Sequence, residues 1–450
     1  MQRLTYPALC LLTAACTLGK PGTVGELTDA TTDVATTDAP TTAGEASTAI
    51  DDPSTATTDI TATTDITSTT DDTTTGPLAP ATGVDVLFVM DNSGSMAPSQ
   101  QRIADAIGAF VDPLTAAGLD LRIAVTTTDV GNPRCPSSTP ESGAFVASSC
   151  RARVPLGEFM AQDLDLSAAC LDACAHETIA IQPTVTADDD TPEPRPWIEW
   201  SPGAANVDVP LAEALACVLP QGVVGCGFEA PLESMYRALA RSSEDGDKNE
   251  GFVRDDAHLV VILITDETDC SYNPDFDDIF TTNKVFWFDP DNDVAPTSSM
   301  CWAAGVACEG GPGVYDDCVA TDHDNTGAVT TDPSAAVLFP VDKYSSFLDE
   351  QQAHKQAAGS AGKVQLVVIG GVPAGFPQNP LVYQDSDDPD TQSLFGIAPG
   401  CDHMGITAIP PARMLELATT HAPLGQSMFS ICQTNLGGPL SAIAASILDN

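Results

Sequence analysis

Basic residues are scarce in this chain. It has 17 Lys and Arg among 450 residues, against 63 Asp and Glu, for a formal net charge of −46. A surface so acidic repels phosphate backbones and anionic headgroups, which argues against nucleic acid or a lipid surface as a partner. Long apolar runs are missing too: the stretch inside MQRLTYPALCLLTAACTLGKPG has about thirteen residues, short of the roughly 20 that a membrane-spanning helix needs. Enzyme signatures are absent. There is no H-E-x-x-H, no G-x-S-x-G turn and no phosphate-binding loop. The six histidines, His176, His258, His323, His354, His403 and His421, are scattered along the sequence. CLDAC (Cys170, Cys174) lacks the second short pair that a zinc site requires. The chain is therefore expected not to be an enzyme.

Export is legible at the N-terminus. Arg3, the short apolar stretch and small residues before Cys16 read as an export signal over residues 1–16. TAAC resembles the lipobox of bacterial lipoproteins, in which the cysteine, here Cys16, is lipidated. Thr13 stands where that motif usually has leucine, and cleavage without a lipid is the alternative. The chain is thus expected at the bacterial outer membrane or cell surface as a lipoprotein, or secreted, with membrane contact only through such an anchor. Beyond the leader an even number of cysteines remains: Cys135, Cys150, Cys170, Cys174, Cys217, Cys226, Cys270, Cys301, Cys308, Cys318, Cys401 and Cys432. In an exported chain these are expected to form disulfides. Sequence does not give their connectivity; nearness alone suggests Cys217 with Cys226 and Cys401 with Cys432.

Residues 17–82 are about a third threonine, contain no aromatic residue and carry eleven acids against Lys20 alone. Too little apolar surface is present to offset ordering entropy, so a disordered tether is expected, on the order of 45 Å across as a flexible coil. Residues 83–450 then alternate strand and helix signals. VDVLFVMD, LRIAVTTTD, HLVVILITDE and KVQLVVIGG read as buried strands, and SMFSIC as a further one. SQQRIADAIGAFVDPLTAAG, FEAPLESMYRALARS, YSSFLDEQQAHKQAAG, ARMLELATTH and GGPLSAIAASIL read as helices. Such alternation predicts a doubly wound α/β domain, with a mainly parallel sheet and helices on both faces. Residues 131–206 and 267–340 break the alternation as two Cys-rich insertions. Each follows a strand of the same orientation, so both should leave the carboxyl edge of the sheet, where ligands bind in open α/β folds.

DNSGSM, from Asp91, ends the first strand at that edge. Asp91, Ser93 and Ser95 offer three oxygen side chains at alternate positions, and Asp266 ends another strand. On the pentapeptide alone, a strand-end turn that caps the next helix is an equal alternative for the first three. Strand plus D-x-S-x-S, followed later by a strand ending T-D, resembles a von Willebrand factor A domain. The chain is similar to the secreted and lipoprotein members found in deltaproteobacteria such as myxobacteria, over roughly residues 84–450 outside most of the insertions. The resemblance implies a metal-ion-dependent adhesion site. Ser93 and Ser95 would bind a divalent cation through their hydroxyls, Asp91 and Asp266 directly or through water, with Gly94 allowing a tight bend. Mg²⁺ suits such oxygen donors first, with Ca²⁺ or Mn²⁺ as alternatives. The family's second-loop threonine is missing: in VVGCGFEAPLESM the part before the helix, VVGCGFEAP, has neither Ser nor Thr, and Glu229 is the nearest oxygen ligand. Its alternative role is a first-turn charge favoured by the helix dipole.

Other acidic runs carry less. DHDNTGAVTTDP, from Asp322, starts like an EF-hand loop but has Pro333 where the bidentate acid belongs. The expected function is a protein-binding, adhesion-type module, whose partner is an extracellular or envelope protein with a basic patch. A structural envelope protein with a fold-stabilising metal, or a metal-dependent hydrolase with an unrecognised site, are the alternatives.

Overall fold

A computed structural model describes residues 78–291 and 296–449. The export signal, Cys16 and nearly all of the tether lie outside the described residues. The chain enters through an isolated bridge at Ala79 and forms β1 (Gly83–Met90), α1 (Ala97–Ala106), α2 (Gly108–Ala116) and β2 (Asp120–Thr127). An excursion follows, with two short helices, α3 (Cys150–Arg153) and α4 (Ala168–Leu171), and a hairpin of β3 (Met160–Ala161) and β4 (Leu164–Asp165). The chain returns through β5 (Ile198–Ser201), β6 (Ala204–Ala205), α5 (Leu211–Val218) and α6 (Pro231–Arg241) to β7 (Ala257–Ile264). A second excursion holds α7 (Ser299–Gly305) and a hairpin of β8 (Val306–Gly310) and β9 (Tyr315–Ala320). Then come α8 (Val341–Ala357), β10 (Val364–Gly370), α9 (Pro389–Phe395), and a hairpin of β11 (Cys401–His403) and β12 (Ile406–Ala408). The described chain closes with α10 (Ala412–His421), α11 (Leu424–Ser427), β13 (Met428–Ser430) and α12 (Gly437–Leu448).

Seven strands form one sheet in the order β13-β10-β7-β1-β2-β5-β6. β13, β10, β7, β1 and β2 are parallel, and β5 and β6 add an antiparallel edge. All eight residues of β1 are buried, because strands flank it on both sides and helices cover both faces. Its side chains alternate between two cores. Val84, Val86, Phe88 and Met90 pack with Ile103, Phe110, Leu215 and Leu440 of α1, α2, α5 and α12. Leu87 and Val89 pack with Met235, Tyr344 and Leu417 of α6, α8 and α10. This is the doubly wound α/β arrangement that the alternation predicts.

Some details differ from the expectation. The first helical run is two helices, interrupted at Ile107, that keep one apolar face. The end of the segment 131–206 rejoins the sheet as β5 and β6, whose short runs and Pro-rich flank hid them. Residues 371–411, between β10 and α10, form a third excursion at the same edge. Its Pro, Gly and Asp content was a legible signal.

All twelve cysteines are paired, as Cys135–Cys226, Cys150–Cys170, Cys174–Cys217, Cys270–Cys301, Cys308–Cys318 and Cys401–Cys432. Cys401–Cys432 is as expected and Cys217–Cys226 is not. Cys217 lies in the last turn of α5 and is buried against Cys174 of the first excursion, while Cys226 lies beyond the following loop. Labelling unfolded, unreduced protein with a thiol reagent should find none of the twelve free. Two or more labelled sites would contradict this pairing.

Candidate metal centre

With the two-residue edge strand β6 set aside, the strands β1, β2, β5, β7, β10 and β13 are the first to sixth in chain order, so the sheet reads 3-2-1-4-5-6. The order reverses between β1 and β7, and the crevice outside their carboxyl ends is where such sheets hold ligands. Asp91 leaves β1 at that point and Asp266 leaves β7. Their paired register, Met90 beside Ile264, brings the two loops level.

A chain of hydrogen bonds joins them. Thr265 Oγ1 donates to Asp91 Oδ2 at 2.6 Å, and the Ser93 backbone N–H donates to Asp91 Oδ1 at 2.8 Å. The Ser93 and Ser95 hydroxyls lie 3.1 Å apart, and Ser95 Oγ donates to Asp266 Oδ1 at 3.1 Å. The structure thus gathers Asp91, Ser93, Ser95 and Asp266 into one cluster. The capping alternative is not what forms: α1 has Met96 at its N-cap, with no side-chain cap bond. Gly94 shows no left-handed φ, so its bend is one that other residues could adopt. Gly225 is the constrained glycine, since an added Cβ would stand 2.2 Å from Asn92 Oδ1.

Two residues that the sequence did not single out hold the loop. Gln100 of α1 donates from Nε2 to the Asp91 carbonyl at 2.8 Å and the Gly222 carbonyl at 2.7 Å, and its Oε1 accepts from the Gln221 N–H at 2.9 Å. It pins the Asp91 loop to the loop before α6. Thr265, a β-branched strand-end residue, fixes the Asp91 carboxylate. A polar residue one turn into the helix after a ligand loop is the signal that could have revealed Gln100.

Glu229 sits just before Ala230, the N-cap of α6, and is 1% exposed. The first-turn acid of that helix is Glu233, so the dipole role does not fall to Glu229. One of its oxygens accepts from the Thr128 hydroxyl, and the other, Oε1, is sealed from solvent without a partner. Glu267, directly after Asp266, has a second such orphan in Oε2. Disulfides brace these loops: Cys135–Cys226 ties the first excursion to the Glu229 loop, and Cys270–Cys301 ties the second just beyond Asp266.

The electrostatics are those of crowded buried acids. Burial raises the Asp91 carboxyl above its usual range, against the stabilising bonds from Thr265 and Ser93. Burial and then the Asp91 charge push Asp266 and Glu229 well up. Glu267 is pushed well up by burial, then by Asp266 and Asp91. Among the described residues no group of three or more His, Cys, Asp and Glu side chains is placed to hold a metal ion, so serine hydroxyls or waters would have to supply part of any shell here. The donor set fits a hard cation, because it is all oxygen and includes buried carboxylate oxygens that nothing else satisfies.

A carboxyl whose folded pKa lies above its unfolded value stabilises the fold at low pH, and this contribution is lost as pH rises towards the folded value. For these four acids the window opens near the ordinary carboxylate value of about 4 and runs upward. The cation-free domain should therefore lose stability on going from mild acid to neutrality, and a saturating divalent cation should flatten that decline. Calorimetric melts across pH, with EDTA and with cation, check this; parallel curves would count against it.

The fold and this cluster define a doubly wound α/β domain with a hydroxyl–carboxylate site at its switch point. No protein-family model and no curated protein matches the chain. Among solved structures it is similar to the vWF domain of the type V pili tip protein Mfa5 from Porphyromonas gingivalis. The identity is 11% and the TM-score 0.31, with 82% of this chain and 97% of that one covered. The fold assignment rests on this chain's own strand order.

Proposed function

We propose that this chain is an exported, von Willebrand A-type binding module that holds a divalent cation and uses it to engage another protein. Asp91, Ser93, Ser95 and Asp266 would hold the ion, with Glu229 in place of the missing second-loop threonine. A bound cation would offer an oxygen of the partner a charged anchor. The observation that carries this reading is the linked Asp91–Ser93–Ser95–Asp266 cluster at the switch point of the sheet. The disulfides support export, since such bonds persist in oxidising compartments. A lipid anchor at Cys16, with the threonine-rich segment as spacer, would keep the module at the outer membrane or cell surface. The acidity supports a partner with a basic patch, which the field of this domain would steer inward. The reading assigns no catalytic step.

Full-length protein should retain an envelope partner in Mg²⁺ or Ca²⁺ buffer and release it when EDTA is added. An Asp91→Ala protein should retain none in either buffer. Retention that survives both EDTA and the substitution would leave the cation with a fold-stabilising role only.

A further inference from the structure

Of the 17 Lys and Arg residues, all but Arg3 and Lys20 lie among the described residues. These are engaged within the protein, through ion pairs, hydrogen bonds, ring contacts or neighbouring charges, with one exception. Among the described residues Lys248 alone engages no other group. It is exposed, in the loop between α6 and β7, and it lines a cavity of about 500 Å³. Ile179, Ile181, Pro194 and Pro196 give that cavity apolar walls, and Arg195 gives it a second cation. Arg195 is 4% exposed and immobilised: its guanidinium lies 5.8 Å from the centre of the Trp197 ring and pairs with Asp189 at 2.6 Å. Its Nε has no partner, and its Nη1 lies 3.3 Å from Glu193 Oε1, on a side chain more than half exposed. Glu193 is the one acid lining the cavity.

We propose that this cavity binds a small aliphatic carboxylate. The apolar body of the ligand lies against Ile179 and Ile181, and its carboxylate pairs with Lys248 at the mouth. Apolar walls with a few convergent charged groups are the usual form of a small-ligand site, and the volume suits one. Acids elsewhere on the surface are screened beyond about 8 Å at physiological ionic strength, so the groups at the mouth decide which charge is drawn in. Nothing in the protein contests the lysine. Asp189 already balances Arg195, and the longer Glu193 contact is an exposed pair of the kind that contributes little. An incoming carboxylate therefore displaces Glu193 and gains the arginine as a second donor. None of these residues belongs to the loops of the candidate centre, so the site is separate from the cation. Two sources offer this chemistry, a free acid and the carboxyl end of a peptide.

The test uses the full-length protein, with N-acetyl-L-leucine as probe and its uncharged analogue N-acetyl-L-leucinamide as control. Ligand-detected NMR titration should show saturable binding of the acid, with a Kd on the order of 1 mM, and binding of the amide about tenfold weaker. Lys248→Met should weaken the acid about tenfold, while Lys248→Arg should keep it. Glu193→Gln should strengthen it about threefold, because the competing carboxylate is gone. Asp91→Ala should change nothing. Both substituted side chains of the cavity are exposed, so folding is not at stake. The peptide N-acetyl-Ala-Ala-Leu separates the sources: about tenfold tighter binding than the amino acid identifies a peptide end, and equal binding a free acid. No binding of the acid, equal binding of acid and amide, or a Lys248→Met protein that binds like wild type would overturn the proposal.

Discussion

Replacing Asp91 by alanine should abolish binding of Mg²⁺, Mn²⁺ and Ca²⁺ in calorimetry while leaving the domain folded. Asp91 is the hub of the centre: its two oxygens accept from Thr265 and from the Ser93 N–H, and its charge acts on Asp266, Glu229 and Glu267. Losing it frees a hydroxyl and an N–H, at roughly 1 kcal/mol each, and the fold should bear this because a buried repulsive charge disappears as well. The ion has no such compensation. Its central anionic donor is gone, and the backbone bond that sets Ser93 in place goes with it. Asp91→Asn separates the two effects, since it keeps an acceptor for the Ser93 N–H but not the charge. If charge is decisive, Asn should bind nearly as poorly as Ala. Site-dependent binding that persists in both variants would mean that the ion sits elsewhere.

Asp269→Ala should lower folding stability by about 3–5 kcal/mol, read from the urea midpoint. Asp269 is buried and pairs with Arg413, also buried, at 2.9 Å; Arg413 further donates to the Phe339 carbonyl at 2.6 Å. The other Asp269 oxygen accepts from Ser271 Oγ at 2.6 Å and from the Leu232 N–H at 3.3 Å, and Ser271 Oγ accepts from the Glu233 N–H at 2.9 Å. The chain just beyond Asp266 therefore caps the start of α6 and neutralises a charge on α10. Alanine would leave the guanidinium buried without its counter-ion, which is the costly case; Asp269→Leu with Arg413→Met should recover most of the loss. A shift below about 1 kcal/mol for Asp269→Ala would show that water reaches Arg413. Shortening the second excursion should accordingly spare residues 267–273, although the excursion also has a small core of its own around Phe280, Met300 and Leu338.

Much of this was legible because local signals and global burial agree. β1 and β7 are apolar at nearly every position, which only strands covered on both faces tolerate, and the acids closing them mark the carboxyl edge of the sheet. Spacing within DNSGSM likewise announced a cluster. Glu267 was hidden because nothing in sequence tells whether folding will seal a carboxylate oxygen from water. Gln100 was hidden because its role exists only once the Gly222 loop folds against it. β5 and β6 were missed for a related reason: a four-residue and a two-residue strand carry too little periodicity, and only pairing with Leu121 to Ile123 of β2 defines the edge. Disulfide partners depend on where α5 turns Cys217, which no spacing rule reports.

The direction of β1 has a mechanical consequence. The chain enters at Ala79 and Thr82, whose N–H groups donate to the Gly359 and Asp256 carbonyls, the latter just before β7, and reaches the candidate centre after the eight residues of β1. Entry point and centre are thus the two ends of one strand, about 26 Å apart. A pull between a partner held at Asp91 and an anchor upstream of Ala79 would run as tension along a single covalent segment. That segment is clamped by eight parallel pairs to β2 and eight to β7, so it cannot peel away one bond at a time. The helices, the disulfide-braced excursions and the C-terminal half would lie off the line of force. A molecule loaded this way should fail by losing its partner before it fails by unravelling.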